Sequence, residues 1–332
     1  MRRALTSALL LAALTGTSCG GGEPVPPATE LESVAIDFDG KRLAIVGGVA
    51  YLYDRDAKGW AFFRRLLEPG WFEKNYAVDG DRVFRIADDG KKIEVTRRFQ
   101  SGFEDAATVR DLIGEKPGWT AFTLQSPRAP AVKDYVALRN RILREGAGFL
   151  DNVVEPSTAR FHGGKAALRT KSVARSREMV CSKASLETEL IHFRKGDDFW
   201  FSAWYYIEDR VPFTLMDLET TWIEEHPGIR ITTSGAGLGF ELKFPPKPHY
   251  RPTKPTPIPI GKWFRVVAHV KLDEKDGLCE LWQDGVKVCE GRGQTLPIAE
   301  AICNSLEVGI SATEVDSTVW VDDVEVSDRE IK

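Results

Sequence analysis

The pattern that most constrains the fold is a succession of short runs that alternate apolar and polar residues from near residue 160 to the end of the chain. Such alternation is typical of strands that bury one face. Ten runs follow it, at 166–170, 185–193, 199–207, 229–233, 239–244, 263–272, 278–282, 286–289, 306–310 and 319–326. A single short helix precedes them at 134–144, where apolar residues recur every three or four positions until Gly146. Many strands and one helix predict an all-β antiparallel β-sandwich over residues 101–332.

Residues 31–100 carry a second set of strand-like runs, separated by Asp-Gly and Gly-Gly pairs. Asp-Gly between β-rich runs is a strong hairpin signal, because both residues tolerate the positive φ of a tight turn. Six strands are expected, at 33–38, 42–46, 49–53, 76–78, 83–87 and 92–99. The pattern predicts a β-meander that extends the sandwich on its N-terminal side.

The first residues have the layout of an export signal. Arg2 and Arg3 precede an apolar run at 5–14, which is too short to span a bilayer. No later apolar run in the sequence reaches the length of about 18 residues that a span needs.

Cys19 comes just after this run and is followed by a stretch rich in Gly and Pro. The layout resembles a bacterial lipoprotein signal, although Gly16 stands where such signals usually carry Leu. We expect a signal peptide at 1–18, a Gly/Pro tether at 19–30 and lipidation of Cys19. Cleaved secretion without a lipid, or an uncleaved anchor, remains open. The expected location is the bacterial cell envelope, lipid-anchored outside the cytoplasm, or the secreted fraction, with membrane contact through the anchor only.

Composition limits the possible partners. The chain has 45 Lys and Arg against 49 Asp and Glu, a formal net charge of -4, and 42% hydrophobic residues. It can therefore bury a core, and it offers no overall positive field for nucleic acid. Loss of residues 1–18, which hold two arginines and no acids, would make the charge -6.

Four cysteines remain besides Cys19, and an even number suits an oxidising compartment. A three-residue hairpin loop at 283–285 would place Cys279 opposite Cys289, whereas a two-residue loop at 284–285 would place Glu280 there. We favour the disulfides Cys279–Cys289 and Cys181–Cys303. Four reduced thiols are the alternative.

Several strand sequences resemble a known superfamily. They are the Asp-Phe-Trp-Phe-Ser-Ala-Trp-Tyr-Tyr-Ile run at 198–207, the Gly-Lys-Trp-Phe run that opens 261–271, the hairpin at 277–288 and the closing Val-Trp-Val-Asp-Asp-Val at 319–324. Together they resemble the concanavalin A-like lectin/glucanase superfamily, and within it the polysaccharide lyases related to heparin lyase and glucuronan lyase. The resemblance implies a jelly roll over about 100–328, whose last strand pairs near residues 103–105.

The catalytic patterns of these relatives are not intact. The lyases' Arg-x-Glu and Gln-x-His are replaced at 183–189 and 215–222, and the glucanase pattern Glu-x-Asp-x-x-Glu has Leu215 at its first position. The sequence therefore leaves open whether the chain is an enzyme. If it is one, the resemblance implies a polysaccharide lyase.

Cleavage of a uronate polysaccharide by β-elimination needs a cation for the carboxylate, a base and an acid. Our candidate catalytic residues are Glu187, Glu189, His226 and Tyr250, and our candidate substrate-binding residues are Lys183, Trp222, Lys243, His249 and Arg251. Alternation along 186–193 places Glu187 and Glu189 on the face opposite Leu186. A solvated surface is the plain alternative for this pair.

The segment 244–260 holds seven of the 18 prolines and must be extended. Its basic and aromatic residues, with Lys243, form an arm that we expect to border a groove for an anionic glycan, unless it is simply a rigid crossover. The strand tryptophans, Trp200, Trp204, Trp263, Trp282 and Trp320, are expected in the core, and Trp222 is the best candidate for exposure.

No cofactor is expected, and no metal site is assigned to the candidate site. A structural calcium ion is possible where Asp322 and Asp323 meet Glu104 or Asp105, because hard cations prefer clustered carboxylates. We therefore predict an extracytoplasmic polysaccharide-binding protein, whose enzymatic version would cleave an acidic glycan by β-elimination. The alternative is a non-catalytic envelope or adhesion protein that binds another protein through the meander.

Overall fold

A computed structural model describes residues 27–29, 31, 36–38, 41–46, 49–54, 58–65, 71–73, 76–79, 82–86, 91–221, 226–252, 254–299 and 301–331. The chain divides into two compact units, 1–36 with 42–64 and 37–41 with 65–332. The predicted signal peptide, Cys19 and Trp222 lie outside the described residues, as does most of the predicted tether. The helices of the described residues all fall short of the length and apolarity that a membrane span requires.

The predicted meander contains two four-stranded sheets. The first has the order β1-β2-β3-β4, with β1 Ile36–Phe38, β2 Lys41–Val46, β3 Val49–Asp54 and β4 Gly59–Arg65. The second has the order β5-β6-β7-β8, with β5 Trp71–Glu73, β6 Tyr76–Asp79, β7 Arg82–Ile86 and β8 Lys92–Glu94. The described part of this region therefore has eight strands rather than six.

The second unit also contains a jelly-roll β-sandwich, which confirms the predicted fold class. Its seven-stranded sheet has the order β10-β13-β24-β16-β17-β18-β19, with β10 Ala121–Thr123, β13 Ser182–Thr188, β16 Thr214–Glu219, β17 Gly228–Ser234, β18 Gly237–Leu242, β19 His249–Tyr250 and β24 Ser305–Thr313. The other large sheet has the order β11-β12-β25-β15-β20-β21-β22, with β11 Val153–Ser157, β12 Ala167–Ser172, β15 Asp198–Ile207, β20 Trp263–Lys271, β21 Gly277–Gln283, β22 Val286–Gly293 and β25 Ser317–Ser327. A small pair joins β14 Phe193–Arg194 to β23 Ile302–Cys303.

The closing strand β25 also pairs with β9, Phe99–Ser101. Val324 lies opposite Ser101 rather than near residues 103–105. The predicted pairing partner was wrong because the chain turns at Phe103, which has φ 63° and is buried, so the strand ends before it.

Two helices precede most of the strands of the sandwich, α1 at Val109–Leu112 and α2 at Val132–Glu145. Residues 28, 29 and 31 are also helical. Helix α2 confirms the helix expected at 134–144. Its first turn is closed by Asp134, whose carboxylate accepts the backbone N–H of Ala131 at 3.1 Å. It ends where Gly146 takes φ 76°, a left-handed conformation that glycine adopts without a Cβ clash.

The expectation that the strand tryptophans lie in the core was wrong for four of the five. Along β15, Phe199, Phe201 and Tyr205 are fully buried between the sheets, so the alternation directs Trp200 and Trp204 to the outer face. There they are partly exposed and stack on histidines, Trp200 on His269 at 4.2 Å and Trp204 on His162 at 3.7 Å between ring centroids. Trp263 and Trp282 are also partly exposed, and Trp320 alone is buried.

The predicted disulfides are also wrong, since all four described cysteines are free. The hairpin turn is the two-residue Asp284-Gly285, with φ 49° and 78°, and a bulge follows it. The bulge places Leu281 opposite Cys289 and Gly291 opposite Cys279, so the two thiols are not cross-strand partners.

Cys181 and Cys303 lie beyond opposite ends of β13, because Cys181 precedes its first residue and Cys303 is opposite Phe193. A strand of seven residues is about 20 Å long, whereas a disulfide requires Cα atoms within about 7 Å.

Candidate functional site

The face of the seven-stranded sheet that points away from the core between the sheets carries a line of charged side chains, one strand after another. Directly opposed positions form this charged row, from Ala121 through Glu187, Glu307, Asp217, Arg230 and Glu241 to His249. Opposed residues of neighbouring strands share a face. The next position on each strand faces the other way, which gives a matching core row of Phe122, Leu186, Val308, Met216, Ile231, Phe240 and Tyr250.

The basic members of this face are paired with its carboxylates. Arg230 donates from Nε to Asp217 Oδ1 at 2.9 Å and lies 3.4 Å from Glu241 Oε2. Lys243 forms an ion pair with Glu219, which is two residues from Asp217 on β16. His249 Nε2 lies 3.7 Å from Glu241 Oε1 at the sheet edge.

Glu187 has an unusual protonation state. Its Oε1 accepts the hydroxyl of Ser305 at 2.9 Å. Burial, together with the charges of Glu189, Glu307 and Glu219, raises the pKa of Glu187 to about 8. The side chain is therefore a neutral acid near neutral pH and can donate a proton.

The pKa values of the ionisable residues around Glu187 are shifted in different directions. Burial raises the pKa of Glu307, whose Oε1 accepts the Ser185 hydroxyl at 2.7 Å. The charge of Glu307 in turn raises the pKa of Lys183, which keeps that lysine protonated. Burial opposes ionisation of Asp217, but the cations Lys243, Arg230 and Lys183 outweigh it and lower the pKa.

Asp217, Glu219 and Glu307 bring carboxylate oxygens within 4.8 Å of one another, a spacing that a metal ion can use. Each of them already faces a cation, namely Arg230, Lys243 or Lys183. The arrangement is therefore an internally neutralised ion network.

Five of the nine predicted residues come together at this face, namely Glu187, Glu189, Lys183, Lys243 and His249. Tyr250 does not join them, because it belongs to the core row. Its ring lies against Gly291 of the other large sheet, where a Cβ would be 2.1 Å from the ring, and its hydroxyl donates to the Arg292 carbonyl at 3.0 Å.

The other predicted residues lie at the margins. His226 is exposed in the connection between β16 and β17, with φ 47°, and Arg251 is exposed just after β19.

Sequence reasoning missed Glu307, Arg230, Glu241 and Tyr135. Arg230 and Glu241 had a readable signal, because each is a charged residue inside an apolar run. Glu307 had none, since every residue of β24 is buried and alternation does not reveal which face of the strand it lies on. Tyr135 comes from α2, where burial raises its hydroxyl pKa within range of Lys183 and Glu307.

A cavity of about 620 Å³ lies where β13 and β17 meet the ends of β16 and β24. Its lining includes Cys181, Phe213, Ser234 and Thr313, and Phe213 is 43% exposed. None of its lining residues belongs to the charged row, which crosses the same strands about three to six residues away.

The residues expected to hold calcium surround the loop 158–165 instead. Asp322 accepts the backbone N–H of His162 at 2.7 Å, of Gly163 at 3.1 Å and of Asp323 at 2.8 Å. Glu104 accepts the N–H of Lys165 at 2.7 Å. These carboxylates anchor the loop, and a calcium ion beside them stays a prediction.

The fold and site define a jelly-roll β-sandwich protein with a polar, ion-paired sheet face. No protein-family model matches the chain, and no curated protein is similar in sequence. Among solved structures, the chain is similar to an endo-β-1,4-glucuronan lyase from the fungus Trichoderma reesei, with 15% identity, coverage of 69% of this chain and 94% of that one, and a TM-score of 0.48. It is also similar to the cellulose induced protein Cip1, with 14% identity, 70% and 98% coverage and a TM-score of 0.47. The third is the alginate lyase Aly36B, with 8% identity, coverage of 72% of this chain and 99% of that one, and a TM-score of 0.40.

Proposed function

We propose that the protein binds a polysaccharide across the charged row and cleaves an acidic glycan by β-elimination. The observation that carries the proposal is Glu187, a carboxyl group with a pKa of about 8 that shares one sheet face with Lys183 and Glu189. A carboxyl group held neutral near pH 7 is the property that a general acid needs.

In the reaction, the proton at C5 of the uronate passes to the Glu189 carboxylate, which lies beside Glu187. The bond from C4 to the glycosidic oxygen breaks and a C4–C5 double bond forms. Glu187 supplies the proton that the leaving oxygen takes up. Lys183, on the same face of β13, lowers the cost of the negative charge that develops at the uronate carboxylate.

The acidic character of the substrate is inferred from the segment 244–260. Arg251 and Lys254 are exposed there, and β19 attaches the segment to the sheet edge beside His249. Charges at the rim steer a polyanion toward the sheet, whereas the cations of the row are already paired. The cavity of about 620 Å³ offers Phe213 as an aromatic surface for a sugar ring.

The test incubates the protein with alginate, glucuronan and heparin and follows the absorbance of the unsaturated product. We expect cleavage of one of them, and its loss in Glu187→Gln with retention on the glycan preserved. The matched control is Glu155→Gln on the other large sheet, where Glu155 pairs with Arg169 at 2.9 Å. If none of the three polysaccharides gives unsaturated product and a glycan array does not retain the protein, both binding and cleavage are contradicted.

One observation favours the non-catalytic alternative. The cations of this face, Arg230, Lys243 and Lys183, each lie close to a carboxylate of the protein, which leaves less positive charge for a reacting uronate. An adhesion protein would capture an envelope protein even after deletion of 243–260, and it would leave every glycan uncut.

We also propose that the protein is held outside the cytoplasm by a lipid on Cys19. The proposal rests on the export-signal layout and on the Gly/Pro stretch that follows it.

A further inference from the structure

The small sheet β5–β8 is attached to the sandwich next to the charged row. Val83 of β7 is fully buried in a cluster with Val95 and Ile302, against which Leu190 packs. The backbone continues the attachment, because Thr96 N–H donates to the Leu190 carbonyl at 3.1 Å and His192 N–H donates to the Thr96 carbonyl at 3.0 Å. Strand β7 is thus held beside the residue that follows β13, Glu189.

Two positions after Val83, and therefore on the same face of β7, Arg85 reaches this residue. Its Nε donates to Glu189 Oε2 at 3.0 Å, and the two side chains are 19% and 18% exposed. The neighbouring pair on the same strand, Arg82 with Glu94, is 58% and 50% exposed. The Arg85–Glu189 pair is therefore much better shielded from water and salt.

We propose that Arg85 is a positioning residue of the candidate site, which fixes the carboxylate of Glu189 beside Glu187, so that the sheet β5–β8 is part of the site. The inference rests on the proposed role of Glu187. It gives the N-terminal region a role in positioning the charges around Glu187 rather than in contacting the substrate.

The physical reason lies in the groups that face Glu187. They are Glu189 and Lys183 from β13, Glu307 from β24, Glu219 from β16 and Tyr135 from α2. The charge of Glu189 is the largest of the electrostatic causes that raise the pKa of Glu187. Arg85 offsets part of this repulsion, because its guanidinium lies against the Glu189 carboxylate. Without Arg85, the negative charge of Glu189 acts on Glu187 undiminished and favours the protonated form of Glu187 further.

The test is a titration of the Glu187 carboxyl carbon by NMR in the full chain, with the signal assigned from its loss in Glu187→Gln. We expect the midpoint to rise by about half a pH unit in Arg85→Met and to fall by about one pH unit in Glu189→Gln. Arg85→Lys keeps the charge and should hold the midpoint near that of the wild type. Arg82→Met, which removes the exposed pair on the same strand, should leave the midpoint unchanged.

An unchanged midpoint in Arg85→Met overturns the proposal, and so does an unchanged midpoint in Glu189→Gln. If Arg85→Met does not fold, Glu189→Gln and Arg85→Lys decide in its place. The titration needs no glycan, so the midpoints can move as expected while every polysaccharide stays intact, in which case only the proposed function fails. If cleavage is found and the alkaline limb of its pH profile is the same in Arg85→Met and the wild type, only this inference fails.

Discussion

At the scale of single residues, Glu187 makes stability depend on pH. Its pKa is raised from 4.5 to about 8, so the folded protein keeps a proton that the unfolded chain releases between those values. The stabilisation is complete below the lower value and is lost as the pH rises through the higher one, at ~1.4 kcal/mol per pH unit. Glu187→Gln removes this dependence, and we expect it to unfold at higher denaturant concentration than the wild type near pH 9, as urea titrations would show. Glu155→Gln should behave as wild type, and a variant that is no more stable than the wild type at alkaline pH would refute the assignment.

Asp322 supports a second prediction at this scale. The carboxylate is fully buried and accepts three backbone N–H groups, two of them from the loop 158–165. Asp322→Asn turns an N–H₂ group toward these donors, and we expect a loss of about 2 kcal/mol in urea unfolding. If calcium binds beside it, added calcium should raise the melting temperature of the wild type and of Asp328→Asn, a partly exposed control that pairs with Arg98, but not that of Asp322→Asn. Equal rises in all three would place the ion elsewhere.

At the scale of elements, strands were predictable and their register was not. The runs at 199–207 and 263–272 match β15 and β20, because alternation is a local property that the sequence displays directly. The hairpin β21–β22 shows the limit, since one bulge displaced Cys289 from the partner expected for either loop length. The local alternation of residues does not reveal a bulge, because the extra residue is left out of the ladder without changing the composition of the strand.

The free cysteines give the prediction for this hairpin. Cys279 and Cys289 are buried thiols rather than a bridge, so reductant should leave the urea midpoint unchanged. After unfolding without reductant, a maleimide should modify all four cysteines from Cys181 onward. If the maleimide labels the cysteines only after reduction, the predicted disulfides are present.

At the scale of the whole molecule, the site is a product of strand order. Glu187 and Glu307 are 120 positions apart in the sequence, yet they are directly opposed because β24 lies between β13 and β16. The sequence placed Glu187 and Glu189 on one face but contained no information on which strands would lie beside them. The face that Tyr250 occupies could not be predicted for the same reason. Its neighbour His249 shares its sequence surroundings and faces outward, and only the pairing of Glu241 with His249 assigns the two faces.

The last prediction concerns how such a molecule is retained at the cell envelope. If Cys19 is lipidated, the protein expressed in a bacterium should incorporate labelled palmitate and sediment with membranes, because several acyl chains hold a protein far more firmly than one. Cys19→Ala should lose the label and move to the soluble fraction, while Cys181→Ala, which keeps Cys19, should retain both properties. Palmitate found in Cys19→Ala, or unlabelled wild type released into the medium, would contradict the anchor. The second result would favour cleaved secretion, and the charged row would then meet its glycan away from the cell.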